Sequence, residues 1–174
     1  MMKELYLLRH GKRDSEGNLT EEAERLAVQL GKKLPTFAKV ISSDAERAIK
    51  TAALLTGVTP SIDKRAGFYA PAEENSRAIY EYGLSNNMNF FDAAETFHNG
   101  AFAEGVHAYA VGSNQLLDET LSSVDDGESA LIVSHDLTIG TALALRGIER
   151  VSLSYMSGYK INDEGAILKF ALEN

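Results

Sequence analysis

Residues 4–11 read Glu4-Leu-Tyr-Leu-Leu-Arg-His10-Gly11, an apolar run that ends abruptly in a cation, an imidazole and a glycine. Glu4 to Arg9 is mostly apolar and carries no helical spacing, so it predicts a strand buried on both faces. Gly11 to Asn18 is polar and loop-like. Thr20 is placed to cap a helix whose apolar positions Ala23, Leu26, Ala27, Leu30 and Leu34 recur at i, i+3 and i+4, until Pro35 ends it. A short strand, Lys39 to Ser42, comes next. A strand, a helix and a second strand in so short a span is the opening of an α/β fold.

The rest of the chain continues the alternation. Ser43 and Glu46 have the spacing of a capping box, and Ala45, Ala48, Ile49 and Ala52 form the apolar face of a second helix closed by Gly57 and Pro60. Ser61 to Asp63 is a candidate third strand, and residues 66–100 are the least regular. Helical spacing resumes through Phe102, Val106, Tyr109, Ser113, Leu116 and Thr120. Ala130 to Val133 is another buried strand, Leu137 to Leu145 a helix ending at Gly147, and Ser152 to Leu172 two strands joined at Asn162–Gly165. The expectation is one domain over residues 1–174, three-layer α/β/α, with a mostly parallel central sheet. In such sheets ligands collect beyond the C-terminal strand ends.

Composition narrows the chemistry. With no cysteine among 174 residues, a disulfide framework, a thiolate nucleophile and cysteine-ligated metals are excluded. A net charge of −8 argues against nucleic acid or an anionic membrane as partner, so any anion-binding charge must be local. No apolar run approaches the ~18 residues of a membrane span. Leu5 to Leu8 passes into polar sequence without a small-residue cleavage site, so it reads as a strand and not a signal peptide, and the expected location is the cytoplasm.

Three strand ends carry unusual residues: Arg9-His10-Gly11, the segment Ser43 to Ala52, and Ser134-His135-Asp136. If the strands are parallel, two imidazoles, two guanidiniums and a helix start meet at one sheet edge. A neutral imidazole is a good nucleophile near pH 7. Planar guanidiniums bind the equatorial oxygens of a transferring phosphoryl group, and a helix N-terminus adds free N–H groups. The second imidazole, if protonated, adds positive charge. A metal site from His10, His135 and Asp136 is disfavoured by the nearby guanidiniums, and neither metal nor cofactor is expected.

Arg9-His10-Gly11, Ser43 to Ala52 in the form Ser-x-x-x-Arg-Ala-x-x-Thr-Ala, the Leu19-Thr20 helix start and the late Ser134-His135 resemble the histidine phosphatase superfamily, also called phosphoglycerate-mutase-like. An Arg-His-Gly tripeptide arises by chance in about 1% of chains this long, so the ordered context carries the resemblance. It covers residues from about 4 to 60 and from 129 to 147. The resemblance implies that His10 is phosphorylated and that Arg9, Arg47 and His135 form the phosphate pocket; Gly11, Lys12, Arg13 and Ser43 are candidate substrate-binding residues by their position, with a solvated loop pair as the alternative for Lys12 and Arg13. It implies a phosphomonoester or a phosphohistidine protein as substrate.

The match weakens at the proton donor. The family's acidic position falls near Tyr69 or Ala70, with Glu73 and Glu74 a few residues late. Asp136 is a second candidate, since His135-Asp136 resembles the pair of the acid-phosphatase and phytase branch. A third reading has no dedicated acid, as suits small phosphohistidine phosphatases, whose imidazole leaving group departs easily. Phosphoglycerate mutase chemistry is the rival within enzymes, disfavoured because mutases of the family are generally longer. A non-catalytic phosphate-binding module is the rival outside them.

Overall fold

The computed structural model describes residues 2–67, 81–88, 100–149 and 153–172, with the backbone alone over 100–106. Its sheet is built from β1 (Glu4–Arg9), β2 (Lys39–Ser42), β3 (Ser61–Ile62), β4 (Ser129–Ser134), β5 (Ser157–Asn162) and β6 (Ile167–Ala171), in the spatial order β3-β2-β4-β1-β5-β6. The pairs β2/β3, β2/β4 and β1/β4 are parallel, and the β5–β6 hairpin adds antiparallel to β1. The sheet is therefore mostly parallel, and its parallel strands carry all three motif-bearing ends.

Helices cover both faces. Ala23, Ala27 and Leu30 of α1 (Glu21–Gly31) and Ala48, Ala52 and Leu55 of α2 (Glu46–Thr56) pack on Leu8, Val40, Leu131 and Val133. Leu116 and Leu117 of α3 (Gly100–Ser122) and Ile139, Ala142 and Leu143 of α4 (Asp136–Ala144) pack on Leu5, Leu7, Ile41, Ala130 and Ile132. Alternate residues of the central strands thus point into opposite layers, as the period of two requires. The near-continuous apolar runs of β1 and β4 follow from burial on both sides.

Two expected boundaries shift. Thr20 caps α1 as predicted, accepting from Ala23 N–H at 3.2 Å, but the helix stops at Gly31 and not at Leu34. Residues 32–34 tighten into i→i+3 turns, with Lys33 N–H bonded to the Leu30 carbonyl at 2.9 Å and Leu34 N–H to that of Gly31 at 3.2 Å. Ser43 and Glu46 do not form a capping box. The N-cap of α2 is Ala45, without a side-chain cap; Ser43 lies two residues before it, its hydroxyl 2.8 Å from His135 Nε2 and accepting only a long 3.4 Å bond from Ala45 N–H. A 3₁₀ turn, Lys64–Ala66, follows β3.

Gly31 marks the closest approach of α1 to α2. A Cβ there would lie 2.2 Å from the Leu55 carbonyl oxygen, an atom that cannot move without its helix. Gly31→Ala gains about 1 kcal/mol of helix propensity. Overpacking against backbone costs more, towards the upper end of about 1–3 kcal/mol. The variant is expected to melt at a lower temperature in calorimetry. A melting point equal to or above that of the parent would show that the helices separate freely.

Candidate active site

The register of the parallel strands brings the motifs together. Arg9 pairs with Ser134 and Ser42 with Val133, so His10, Ser43 and His135 occupy adjacent positions at the C-terminal edge. Backbone bonds extend the ladder by one residue: His10 N–H to the Ser134 carbonyl at 3.0 Å, and Ser43 N–H to that of Val133 at 3.2 Å. The imidazoles of His10 and His135 lie with centroids 5.0 Å apart. His10 is 4% exposed and His135 1%.

His10 Nδ1 lies 2.7 Å from the Gly11 carbonyl oxygen, which assigns the proton to Nδ1 and the lone pair to Nε2. Arg47, in the first turn of α2, donates from Nε to that Nε2 at 3.1 Å. Burial pushes the His10 pKa down to about 4, and the guanidiniums of Arg47, Arg9 and Arg13 push the same way against the Gly11 carbonyl, which favours the charged ring. His10 is thus neutral near pH 7.

His135 Nε2 lies 2.8 Å from Ser43 Oγ. Its pKa is pushed further below the usual histidine range, first by burial, then by His10 and by the guanidiniums of Arg47, Arg9 and Arg13. This corrects the idea that His135 brings a positive charge of its own. It is a neutral imidazole at physiological pH, and only an anion that offsets the guanidiniums would favour protonating it.

Arg9 takes a different direction from Arg47. Its Nη1 donates to the Leu153 carbonyl and lies 3.7 Å from Asp136 Oδ2, while its guanidinium carbon sits 4.1 Å from the centre of the Tyr155 ring. Asp136 Oδ1 accepts from Leu153 N–H at 2.8 Å. A Cβ at Gly11 would come within 2.6 Å of Met156 Cε and 2.7 Å of Leu19 Cδ1, the ends of two buried side chains that would have to shift. Lys12 and Arg13 are exposed. Lys12 lines a cavity of about 190 Å³ with Glu22, Ala23, Leu26, Tyr155 and Met156. Arg13 bridges to Leu19 across the loop. Glu73, with Tyr69, Ala70 and Glu74, lies outside the described residues.

Two residues at the site carried no assigned role in the sequence. Thr51 accepts from Gly11 N–H at 3.0 Å and donates to the Arg47 carbonyl at 2.7 Å, tying the first motif to the second. Its place four residues after Arg47 on one helix was the available signal. Tyr155, with its ring centroid 5.8 Å from that of His10, sits in a loop with no motif, and nothing in the sequence pointed to it. Among the described residues no group of three or more His, Asp and Glu could hold a metal ion, and no helix is long and apolar enough to cross a membrane.

Comparison with solved structures places this fold among phosphatases and mutases. A phosphoglycerate mutase from Bacillus anthracis strain Sterne superposes with a TM-score of 0.69 at 20% identity, covering 98% of this chain and 92% of its own. A phosphoserine phosphatase from Entamoeba histolytica gives 0.67 at 19%, covering 98% and 96%. A mycobacterial glucosyl-3-phosphoglycerate phosphatase complexed with VO3 gives 0.63 at 20%, covering 97% of each. No curated protein matches the chain significantly in sequence. The family model for the histidine phosphatase superfamily (branch 1) matches residues 5–173, and with the strand-end imidazoles and guanidiniums in place the chain belongs to that superfamily.

Proposed function

We propose that the protein is a metal-independent phosphatase in which His10 Nε2 attacks phosphorus in line. The P–O or P–N bond to the leaving group breaks as the N–P bond forms. Water then attacks phospho-His10, releasing inorganic phosphate and restoring the neutral ring. The observation that carries this reading is the geometry of His10, its Nδ1 on the Gly11 carbonyl, its Nε2 at the Arg47 Nε donor and its ring 5.0 Å from that of His135. Once phosphorus takes the Nε2 lone pair, that donor passes to an equatorial oxygen, where charge develops in the transition state. Arg9 adds positive charge from the neighbouring strand position. His135, held by Ser43, becomes favoured as a cation once the dianion is bound.

The substrate class follows the same logic: a phosphorylated small molecule or a phosphohistidine protein, bound by local cations on an otherwise acidic chain. The test is covalent labelling. A phosphorylated substrate quenched in alkali should leave acid-labile phosphate on His10, and a substrate panel spanning p-nitrophenyl phosphate, alkyl phosphates and phosphoramidate should release inorganic phosphate. No label on His10 would remove the mechanism. Isomerisation of 3-phosphoglycerate outrunning phosphate release would make the protein a mutase instead.

The acid limb of the rate profile reads the nucleophile directly. Because burial and the guanidiniums lower the His10 pKa to about 4, protonation inactivates it only well below the ordinary histidine value of about 6.5. The acid limb of kcat/KM, which reports the free protein once the substrate phosphate's own ionisation at about pH 6 is corrected for, is expected to fall near pH 4. A limb near 6.5 would mean that His10 is solvated and unpaired.

A further inference from the structure

Asp136 stands beside His135 in sequence, where a proton donor could stand, yet both of its oxygens are turned to donors. Oδ1 accepts the Leu153 N–H at 2.8 Å, and Oδ2 lies 3.7 Å from Arg9 Nη1. The same Arg9 Nη1 donates to the Leu153 carbonyl, so Asp136 and Arg9 grip opposite sides of one residue and face each other across it. A carboxyl O–H on either oxygen would meet a donor. As the first residue of α4, Asp136 also places its negative end where the helix dipole favours it.

The grip extends over the next residues. The Tyr155 ring lies against the Arg9 guanidinium at 4.1 Å, and Met156 N–H donates to the carbonyls of Arg9 at 3.2 Å and His10 at 3.4 Å. Met156, fully buried, holds a positive φ of 55°, a conformation unbranched side chains rarely adopt. Such strain persists only where the surroundings over-determine it. Here the surroundings are the end of the strand that carries the nucleophile. Residues 153–156 therefore form a strap across Arg9 and His10, buckled by Asp136.

We propose that Asp136 is a positioning residue that fixes the Arg9 guanidinium and the 153–156 strap beside His10, with Tyr155 as the stacking face, and is not the proton donor to the leaving group. This rests on the phosphatase reading above. The two roles leave different kinetic signatures. Loss of a general acid spares a good leaving group and penalises a poor one by about 10²–10⁴-fold. Loss of a guanidinium's placement lowers the rates of all leaving groups by one common factor, because the charge it stabilises lies on the phosphoryl oxygens.

The experiment is a comparison of kcat/KM for p-nitrophenyl phosphate and an alkyl phosphate in the full-length protein, with Asp136→Asn, Arg9→Ala and the double variant. Asp136→Asn is expected to lower both substrates by about tenfold, the effect of one misplaced charge-assisted contact. In the Arg9→Ala background it should change either rate by less than about twofold, because contacting residues are not additive. Asp136→Ser, read by the same two-substrate ratio, decides the matter if Asp136→Asn fails to fold, and Tyr155→Leu, which leaves the carboxylate in place, should give the same uniform loss if the ring is the stacking face. A loss concentrated on the alkyl phosphate would overturn the proposal and make Asp136 the acid, and a uniform loss that persists undiminished without Arg9 would overturn it by showing that Asp136 does not act through the guanidinium. Absence of any label on His10 in the parent protein would instead reject the underlying phosphatase reading, and the proposal with it.

Discussion

His10→Ala is expected to abolish turnover, leaving less than a few per cent of the parent rate on every substrate, while circular dichroism stays that of the parent and the protein still melts cooperatively, at a temperature lowered by about 2–12 °C. The size of the effect follows from the mechanism: without Nε2 there is no covalent intermediate, and water would have to reach phosphorus unassisted. The fold tolerates the change because His10 follows β1 and its ladder contacts use backbone atoms. Removing a buried polar ring that carries a hydrogen bond costs about 1–3 kcal/mol. Relief of the desolvated imidazole, which resists charging in the folded state, offsets part of that cost at acid pH. Phosphate release and acid-labile labelling measured together decide the outcome. Residual activity above a few per cent would mean that water, and not His10, attacks phosphorus.

Arg47→Ala is the second large effect. Arg47 supplies the Nε donor at 3.1 Å from His10 Nε2, the position an equatorial phosphoryl oxygen would take over in the proposed mechanism. Loss of one such donor to developing charge costs about 10²–10³ in kcat, roughly 3–4 kcal/mol of transition-state stabilisation. The guanidinium also lowers the His10 pKa, so its removal should move the acid limb of kcat/KM upward, towards the ordinary histidine value. Arg47→Lys restores the charge but not the planar fork, and should recover only part of the rate. The two readouts together separate this role from simple electrostatic attraction of substrate. A variant with a raised KM, an unchanged kcat and an unmoved acid limb would reduce Arg47 to a binding residue.

The sequence alone was enough for the strands, the helices, their alternation and the family. Apolar runs buried on two faces and apolar positions at helical spacing are local signals, and each lies within a window of a few residues. The motif residues were legible for a related reason: Arg9, His10, Arg47 and His135 are polar groups at ends of apolar elements, where nothing about folding asks for them. The Ser43 capping box does not form because a hydroxyl at a helix start has two competing partners, the helix's own N–H donors and a neighbouring ring nitrogen. Only the register of β2 against β4 brings His135 within 2.8 Å of it.

What tertiary structure alone decided is charge state and partnership. The neutrality of both imidazoles comes from burial and from guanidiniums delivered by other elements, and no residue type carries that information. Tyr155 and the Leu153–Met156 strap lie about 145 residues from Arg9 and meet it only because β5 adds antiparallel to β1. Local periodicity determined which segments form elements. Long-range pairing, whose energy depends on contacts between segments remote in the chain, determined which atoms those elements bring to His10.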